Sequence, residues 1–362
     1  MPTSRSLRAG CSGLLLALVV LVTWASPARA DGTVVGGDRL GSRGIAVGTG
    51  APALPATVAS GWLVADLDTG AVLAAKDAHG RYAPASTLKT LTALTLIPRL
   101  DVHRQVTPTF DDVNVDGSRV GLVEHVAYPV DQLFMAMLVV SGNDAANALA
   151  TANGGVDATV EQMNTEAAHL QALDTHAATP NGLDAPGQRS SPYDLALIAR
   201  SAMQLPRFRH YVSTKHSQIR GPRGKAIAIG NHDRLLYNYP GAIGIKNGYT
   251  VAAQACFVGA ATRGGHTLVV TLMHTAPRYW PEAAALLDWG FAAEARAARP
   301  VGQLVDPADP NHPTGSSAER GVAAATAPAR GMPTKAGLPV LPVALVLTGV
   351  GATALVVRKR FV

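Results

Sequence analysis

Ser86 and Lys89 stand three residues apart in the run Ser86-Thr87-Leu88-Lys89. A serine hydroxyl is a poor nucleophile near neutral pH and needs a neighbour to take its proton. A lysine can do so only if burial or a second cation lowers its pKa. The run follows Pro84 and opens an apolar, helix-compatible stretch to Ile97, closed by Pro98. On a helix, residues three apart share one face. The first turn also has unpaired backbone N–H groups and the positive end of the helix dipole. A developing oxyanion could be held there. The spacing alone fits a helix with a polar first turn equally well, so the second cation must come from elsewhere in the chain.

Two further stretches carry short polar or cationic side chains. Ser141-Gly142-Asn143 interrupts the apolar run 130–140 before a helical pattern resumes at Asp144. Taken alone it reads as an ordinary inter-helix turn, with Asn143 capping the second helix. Lys246-Asn247-Gly248-Tyr249 sits in a β-compatible segment. The pair Asp111-Asp112 has a turn-like setting and reads as a solvated loop rather than an acid/base dyad. Cys256 lies in an apolar run and reads as a small buried hydrophobe. The histidines form no H-E-x-x-H or comparable pairing, so neither a metal nor another cofactor is expected. There is no G-x-S-x-G elbow and no phosphate-binding glycine loop.

The elements that must position these residues follow from pattern. Segments 60–66 and 71–76 are apolar runs around Leu67-Asp68-Thr69-Gly70, a predicted hairpin. Residues 99–129 read as loops and short strands. Helical periodicity covers 130–140, 144–151 and 156–170. Ser191-Pro192-Tyr193-Asp194 is a helix start, with serine as N-cap and proline at the first position; that helix is expected to reach about Gln204. Thr179–Leu183 is a turn. Short β-compatible runs follow at 226–230, 242–246, 253–261 and 267–274, with a hairpin turn at Arg263-Gly264-Gly265-His266. A helix over 281–291 closes the pattern. Strands early, helices in the middle and strands late predict an α/β (α+β) body, in which the first and last strands pair in one sheet with helices packed on it.

The ends of the chain read differently. The net charge of +6 over 362 residues is accounted for by Arg5, Arg8 and Arg29 at the start and Arg358, Lys359 and Arg360 at the end. The remainder is neutral by count and shows no nucleic-acid footprint. Residues 1–30 have a charged start, an apolar core and Ala28-Arg29-Ala30, the pattern of a secretory signal peptide. Residues 31–57 read as a linker and 58–298 as the catalytic domain. Residues 299–337 are Pro/Ala-rich, a stalk. Residues 338–357 are uncharged and long enough to span a bilayer, and 358–362 form a basic cytoplasmic tail. The expected placement is a single-pass membrane protein with its body outside the cell. Removal of Cys11 with the signal peptide leaves Cys256 without a disulfide partner.

In chain order, Ser86-x-x-Lys89, Ser141-x-Asn143 and Lys246-x-Gly248 together resemble the SxxK, SxN and KTG motifs of the penicillin-binding and serine β-lactamase superfamily. The resemblance is closest to the serine D-alanyl-D-alanine carboxypeptidases, and covers about residues 55–295. Tyr82–Ser86, Tyr128–Asn147, Glu161–Asn164 and Thr179–Leu183 support it. The resemblance implies an antiparallel sheet flanked by helices, with an all-helical subdomain. It implies that Ser86 is the acylated nucleophile, Lys89 its base and Ser141 a proton relay to the leaving D-alanine. Asn143, Lys246, Asn247, Gly248 and Tyr249 would bind substrate, with oxyanion donors at the backbone of Ser86 and Tyr249. The implied partners are a peptidoglycan stem peptide and β-lactam antibiotics. Asn247 replaces the family threonine, whose hydroxyl donates to the substrate carboxylate. Two alternatives follow: a β-lactamase, and a cell-wall-binding homologue impaired by Asn247.

Overall fold

The computed structural model describes residues 34–309. The segments expected to be a signal peptide, most of the stalk, a membrane span and a basic tail lie outside those residues. Among the described residues, no helix is long and apolar enough to cross a membrane.

A 3-10 turn at Asp38–Gly41 and strand β1 (Ile45–Val47) precede the hairpin β2 (Gly61–Asp66) and β3 (Ala71–Lys76). A second 3-10 turn, Ala85–Leu88, runs into α1 (Lys89–Leu96). There follow β4 (Gln105–Val106), α2 (Phe110–Val113), β5 (Tyr128–Pro129), α3 (Val130–Val139), α4 (Asn143–Ala152) and α5 (Val156–His169). Next come α6 (Pro192–Ala202), α7 (Pro206–Ser213), β6 (His216–Arg220), β7 (Ala226–Gly230) and α8 (Leu235–Asn238). The chain continues with β8 (Ala242–Thr250), β9 (Gln254–Arg263), β10 (His266–Thr275), α9 (Trp280–Ala295) and β11 (Gly302–Gln303).

The main sheet runs β1-β3-β2-β10-β9-β8, with β11 also on β3, and every pairing is antiparallel. The early hairpin and the late strands meet through β2 and β10, from Leu268 opposite Asp66 to Met273 opposite Gly61. Successive strand side chains point to opposite faces, and both faces of this sheet are covered. Leu63 and Ala65 pack with α1, α3 and α6 in one apolar cluster. Trp62 and Val64 pack with Leu286, Leu287 and Phe291 of α9 in the other. Burial on both faces is why β2 reads as an unbroken apolar run rather than an alternating one. Each large apolar side chain so removed from water contributes about 1.5–3 kcal/mol.

The predicted helices and main strands are present to within a few residues, and four points differ. Residues 34–57 are not simply a linker: β1 pairs with β3, and Leu40 is buried. Nor does the body stop at 298, since β11 pairs with Val72 and Ala71 of β3 and Val301 and Leu304 are buried. Asp112 is not in a solvated loop. It closes a capping box with Thr109 at the start of α2 and accepts a hydrogen bond from Thr151 at 2.7 Å. Finally, β7 lies outside the main sheet, paired with the unforeseen β6, and α7 was unforeseen too.

The two ends of the described chain meet. Gln303 N donates to Gly36 O at 2.8 Å. Tyr193 donates to Gln303 O at 2.7 Å and accepts from Val305 N at 3.1 Å. His79 packs its ring against Tyr193, centroids 4.7 Å apart. Its Nδ1 lies 2.8 Å from Asp174 Oδ2 and its Nε2 3.0 Å from Val35 O. Both ring nitrogens thus face acceptors, an arrangement that only the imidazolium satisfies in full.

Candidate active site

The spacing of Ser86 and Lys89 acquires its meaning from the 3-10 turn. In that geometry residues i and i+3 eclipse one another, so the two side chains stand one above the other. Lys89 Nζ is 2.9 Å from Ser86 Oγ. The turn is held open in front of Ser86 by Ala85, whose φ of +48° is a left-handed value that an alanine rarely adopts. Gly182 packs on it so closely that an added Cβ would lie 2.1 Å from Ala85 O.

Lys89 is fully buried and makes two more bonds. Nζ donates to Asn143 Oδ1 at 2.7 Å and to the main-chain oxygen of Asn181 at 2.5 Å. Asn143 is therefore not a helix cap, as the turn reading had it. It is the first residue of α4, the N-cap is Gly142, and no side chain caps the helix. The Asn143 amide is fixed at both ends, because Nδ2 donates to Asp116 O at 2.7 Å. Next to it, Asp144 binds the loop that carries Asp116: its carboxylate accepts from Val120 N, Gly121 N and Leu122 N at 2.9–3.0 Å. Ser141, two residues earlier, is nearly buried and held at φ +61°. A strained backbone of this kind persists only when its surroundings fix it.

Asn181 belongs to the turn Thr179–Leu183. Its Nδ2 donates to Asn147 Oδ1 at 3.0 Å and its Oδ1 accepts from Leu183 N at 3.0 Å. Gln188 Oε1 accepts from Ala178 N and Thr179 N. These bonds aim the Asn181 carbonyl at Lys89. Asn181 lies in a stretch that supports the family resemblance, but its part in the site, like that of Asp116, is played by a main-chain oxygen that no residue type announces.

Strand β8 closes the site from the other side. Gly248 runs directly against the first turn: a Cβ there would lie 2.6 Å from Ser86 N and 3.0 Å from Thr87 N. Lys246 is buried, and the one hydrogen bond of its Nζ among the described residues is to Asn247 O, at 2.7 Å. Asn247 is half-buried, and Tyr249 is 54% exposed. β8 is the last strand of the sheet order, so its outer edge carries no further strand of the sheet. Cys256 lies opposite Gly248 in β9. It is buried, and burial pushes its thiol up to about 12, which leaves it inert as a nucleophile.

The electrostatics follow from burial. Lys89 is held well below the usual lysine range, first by desolvation and then by the charge of Lys246, against the opposing pull of Asp144. Desolvation also lowers Lys246, to about 7, against the pull of Asp233. The structure thus brings Ser86, Lys89 and Asn143 into one hydrogen-bonded group. It sets Gly248 against Ser86, and Lys246 within electrostatic reach of Lys89. Ser141 makes no side-chain hydrogen bond to this group among the described residues.

Residues 48–276 match the family model described as D-alanyl-D-alanine carboxypeptidase. The chain is 44% identical over 262 residues to the D-alanyl-D-alanine carboxypeptidase DacB2 of Mycobacterium tuberculosis, covering 70% of this chain and 89% of that one. It is 35% identical to DacD of Escherichia coli, over 66% of this chain, and spans 64% of that relative's length. Among solved structures it resembles a D-alanyl-D-alanine carboxypeptidase of Mycobacterium tuberculosis, with TM-score 0.67 and 42% identity over 72% of this chain and 99% of that one. It also resembles a Streptomyces DD-transpeptidase, with TM-score 0.63 and 31% identity over 67% of this chain and all of that one.

Proposed function

The chain belongs to the D-alanyl-D-alanine carboxypeptidase family, and on that premise we propose that it removes the terminal D-alanine from peptidoglycan stem peptides through an ester on Ser86. The observation that carries this reading is the bonding of Lys89. A neutral lysine amine has two hydrogens and one lone pair. Two fixed carbonyl oxygens, those of the Asn143 side chain and the Asn181 main chain, take the two hydrogens. The lone pair is left facing Ser86 Oγ, and burial favours the neutral form that supplies it.

In acylation, Ser86 O–H gives its proton to Lys89 Nζ as Oγ attacks the penultimate carbonyl carbon. The carbonyl oxygen becomes an oxyanion between the backbone N–H groups of Ser86 and Tyr249. Donors of this kind contribute about 3–4 kcal/mol each. The C–N bond then breaks, and the departing amine takes the proton held by Lys89, relayed by Ser141, which returns Lys89 to its neutral form. Water attacks the remaining ester, Lys89 again acting as base, and frees Ser86. The peptide lies along the open edge of β8 as an added strand, its terminal carboxylate between Lys246 and Asn247. A β-lactam acylates the same serine and leaves it slowly. The signal-peptide pattern and the apolar stretch 338–357 support a body held on the outer side of the cell membrane.

Intact-mass analysis after exposure to penicillin tests the reading: one adduct, mapped to Ser86 and lost in Ser86→Ala, is expected. An adduct that survives the substitution overturns it. Release of D-alanine from a pentapeptide separates an active enzyme from a silent wall-binding homologue, with Asn247→Thr as comparison. Release by wild type excludes the silent reading, and release by the variant alone establishes it. The β-lactamase alternative finds less support. Glu161, its nearest sequence match to a deacylating carboxylate, is exposed on α5, and Asn164 is bonded within its own surroundings, to Val160 O and Ala177 O.

A further inference from the structure

Three side chains from separate stretches of the chain meet away from Ser86. His79 follows β3, Asp174 follows α5, and Asp194 lies in the first turn of α6. One ligand atom of each lies within 4.8 Å of the other two. All three line a cavity of about 240 Å³, together with Val34, Val35 and Gly41 from the first described residues. Chain order gives no hint of the grouping, because positions 79, 174 and 194 follow no metal-binding spacing.

The unexplained atom here is Asp194 Oδ1. Asp194 is 1% exposed. Its Oδ2 accepts from Asp174 N and from Thr175 Oγ1, each at 2.8 Å. Oδ1 is buried and has no hydrogen-bond partner among the described residues. A carboxylate oxygen taken out of water without a donor costs free energy, so such an atom calls for a partner.

The remaining atoms of the three groups are committed. His79 Nε2 lies 3.0 Å from Val35 O, and Asp174 Oδ1 accepts from Arg81 Nε at 3.0 Å. Metal ligands are oriented in this way: an imidazole gives its second N–H to a carbonyl, and a carboxylate takes hydrogen bonds on its outer oxygen. The atoms left for a ligand are His79 Nδ1, Asp174 Oδ2 and Asp194 Oδ1. One imidazole nitrogen and two carboxylate oxygens suit zinc, with water from the cavity as the fourth ligand. Calcium and magnesium prefer oxygen alone. Nδ1 and Oδ2 stand 2.8 Å apart. Around a zinc ion with bonds of about 2.0–2.1 Å they would open to roughly 3.3 Å. In the metal-free chain the Nδ1 proton bridges them instead. A second grouping, Asp66, His266 and Glu294, lacks the orphaned oxygen: Asp66 is bonded through Oδ1 to Thr69 and through Oδ2 to His266.

We propose that His79, Asp174 and Asp194 form a structural site for one zinc ion, which fixes the imidazole that holds Val35 and so ties the start of the body to α6. The site is separate from the chemistry at Ser86.

The test uses the untagged full-length chain, stripped with a chelator and titrated with zinc chloride. Calorimetry and metal analysis should give one zinc per chain with Kd below about 1 μM. The melting temperature should rise by about 5–10 °C at a hundredfold excess of free zinc over Kd. His79→Gln and Asp194→Asn, the latter retaining the acceptor for Asp174 N and Thr175, should weaken binding at least about a hundredfold, with circular dichroism reporting that each variant folds. His266→Gln should bind as wild type does. Zinc should also shield His79 of the wild type from diethylpyrocarbonate, read by peptide mass, a measurement that needs no variant. Absence of stoichiometric zinc would show that the cavity holds water only and overturn the proposal. So would zinc lost in His266→Gln but kept in His79→Gln, or a His79 left unshielded by zinc.

Discussion

Asn143 holds Lys89 from one side while its own amide is held from the other. Oδ1 accepts from Nζ at 2.7 Å, and Nδ2 donates to Asp116 O at 2.7 Å. The amide cannot rotate without losing both bonds. The lysine therefore meets a fixed acceptor, not a carboxylate that would hold it charged. Burial and the nearby Lys246 do the rest.

Lys89→Met removes the base and leaves Asn143 Oδ1 and Asn181 O unpaired. Acylation by penicillin is expected to slow by about 10²–10⁴-fold, the usual contribution of a positioned general base. In wild type, the maximal acylation rate should fall by less than about tenfold per pH unit between pH 9 and pH 7, because burial and the charge of Lys246 hold the folded lysine well below the usual range. A lysine with an unshifted pKa would lose about tenfold in rate per pH unit over that range. Stopped-flow acylation at saturating antibiotic measures both.

Burial of Lys246 implies a trade between stability and function. The folded pKa is lowered to about 7 from an unfolded value of about 10.4. Between those values the unfolded chain binds more protons, so this group's contribution to stability rises with pH and is least favourable below about 7. Lys246→Met should therefore melt higher than wild type, with the gain greatest at pH 6–7 and shrinking toward pH 10. Binding of carboxylate-bearing β-lactams should weaken at the same time. Thermal melts across pH, read beside acylation rates, check the pairing of the two effects.

Gly248→Ala should fold but acylate at least tenfold more slowly. The added methyl would lie 2.6 Å from Ser86 N, so β8 must move away from the turn that carries the nucleophile. A displacement of about 1 Å at such a site can cost about 10²-fold in rate. Circular dichroism and penicillin labelling of the same preparation separate folding from chemistry.

The His79 clasp should loosen with rising pH. His79 is raised: burial pulls it down, but the hydrogen bond and charge of Asp174 prevail. Its contribution is complete below about 6.5 and is lost as pH rises through the folded value. Asp174 is lowered, since its bonds to His79 and Arg81 outweigh the upward push of burial. Its contribution is present above about 3.9 and lost as pH falls through the folded value. Hydrogen exchange at residues 34–40, corrected for intrinsic rate, should be slower at pH 5.5 than at pH 8.5. His79→Ala should abolish the difference.

Much of this was legible in the residue order. Ser86, Lys89, Asn143 and Lys246 stood out because side-chain chemistry and chain order are written in the sequence. The hairpin β2–β3 and the strands β8–β10 were readable from apolar runs and turn residues. Asn181 and Asp116 were not, because a main-chain carbonyl has no residue signature. The edge strands β1 and β11 were missed because two or three residues are too few for a period. They are held by backbone bonds to β3 instead.

The meeting of Gln303 with Gly36 makes the described body almost a closed ring. A circular permutant that joins those two regions by a short linker, with new ends cut at Gly264–Gly265 in the β9–β10 turn, would keep every pairing of the sheet. Both glycines have open space around them, as sites that tolerate new ends do. The order in which the chain is threaded would then be separable from the cleft it builds.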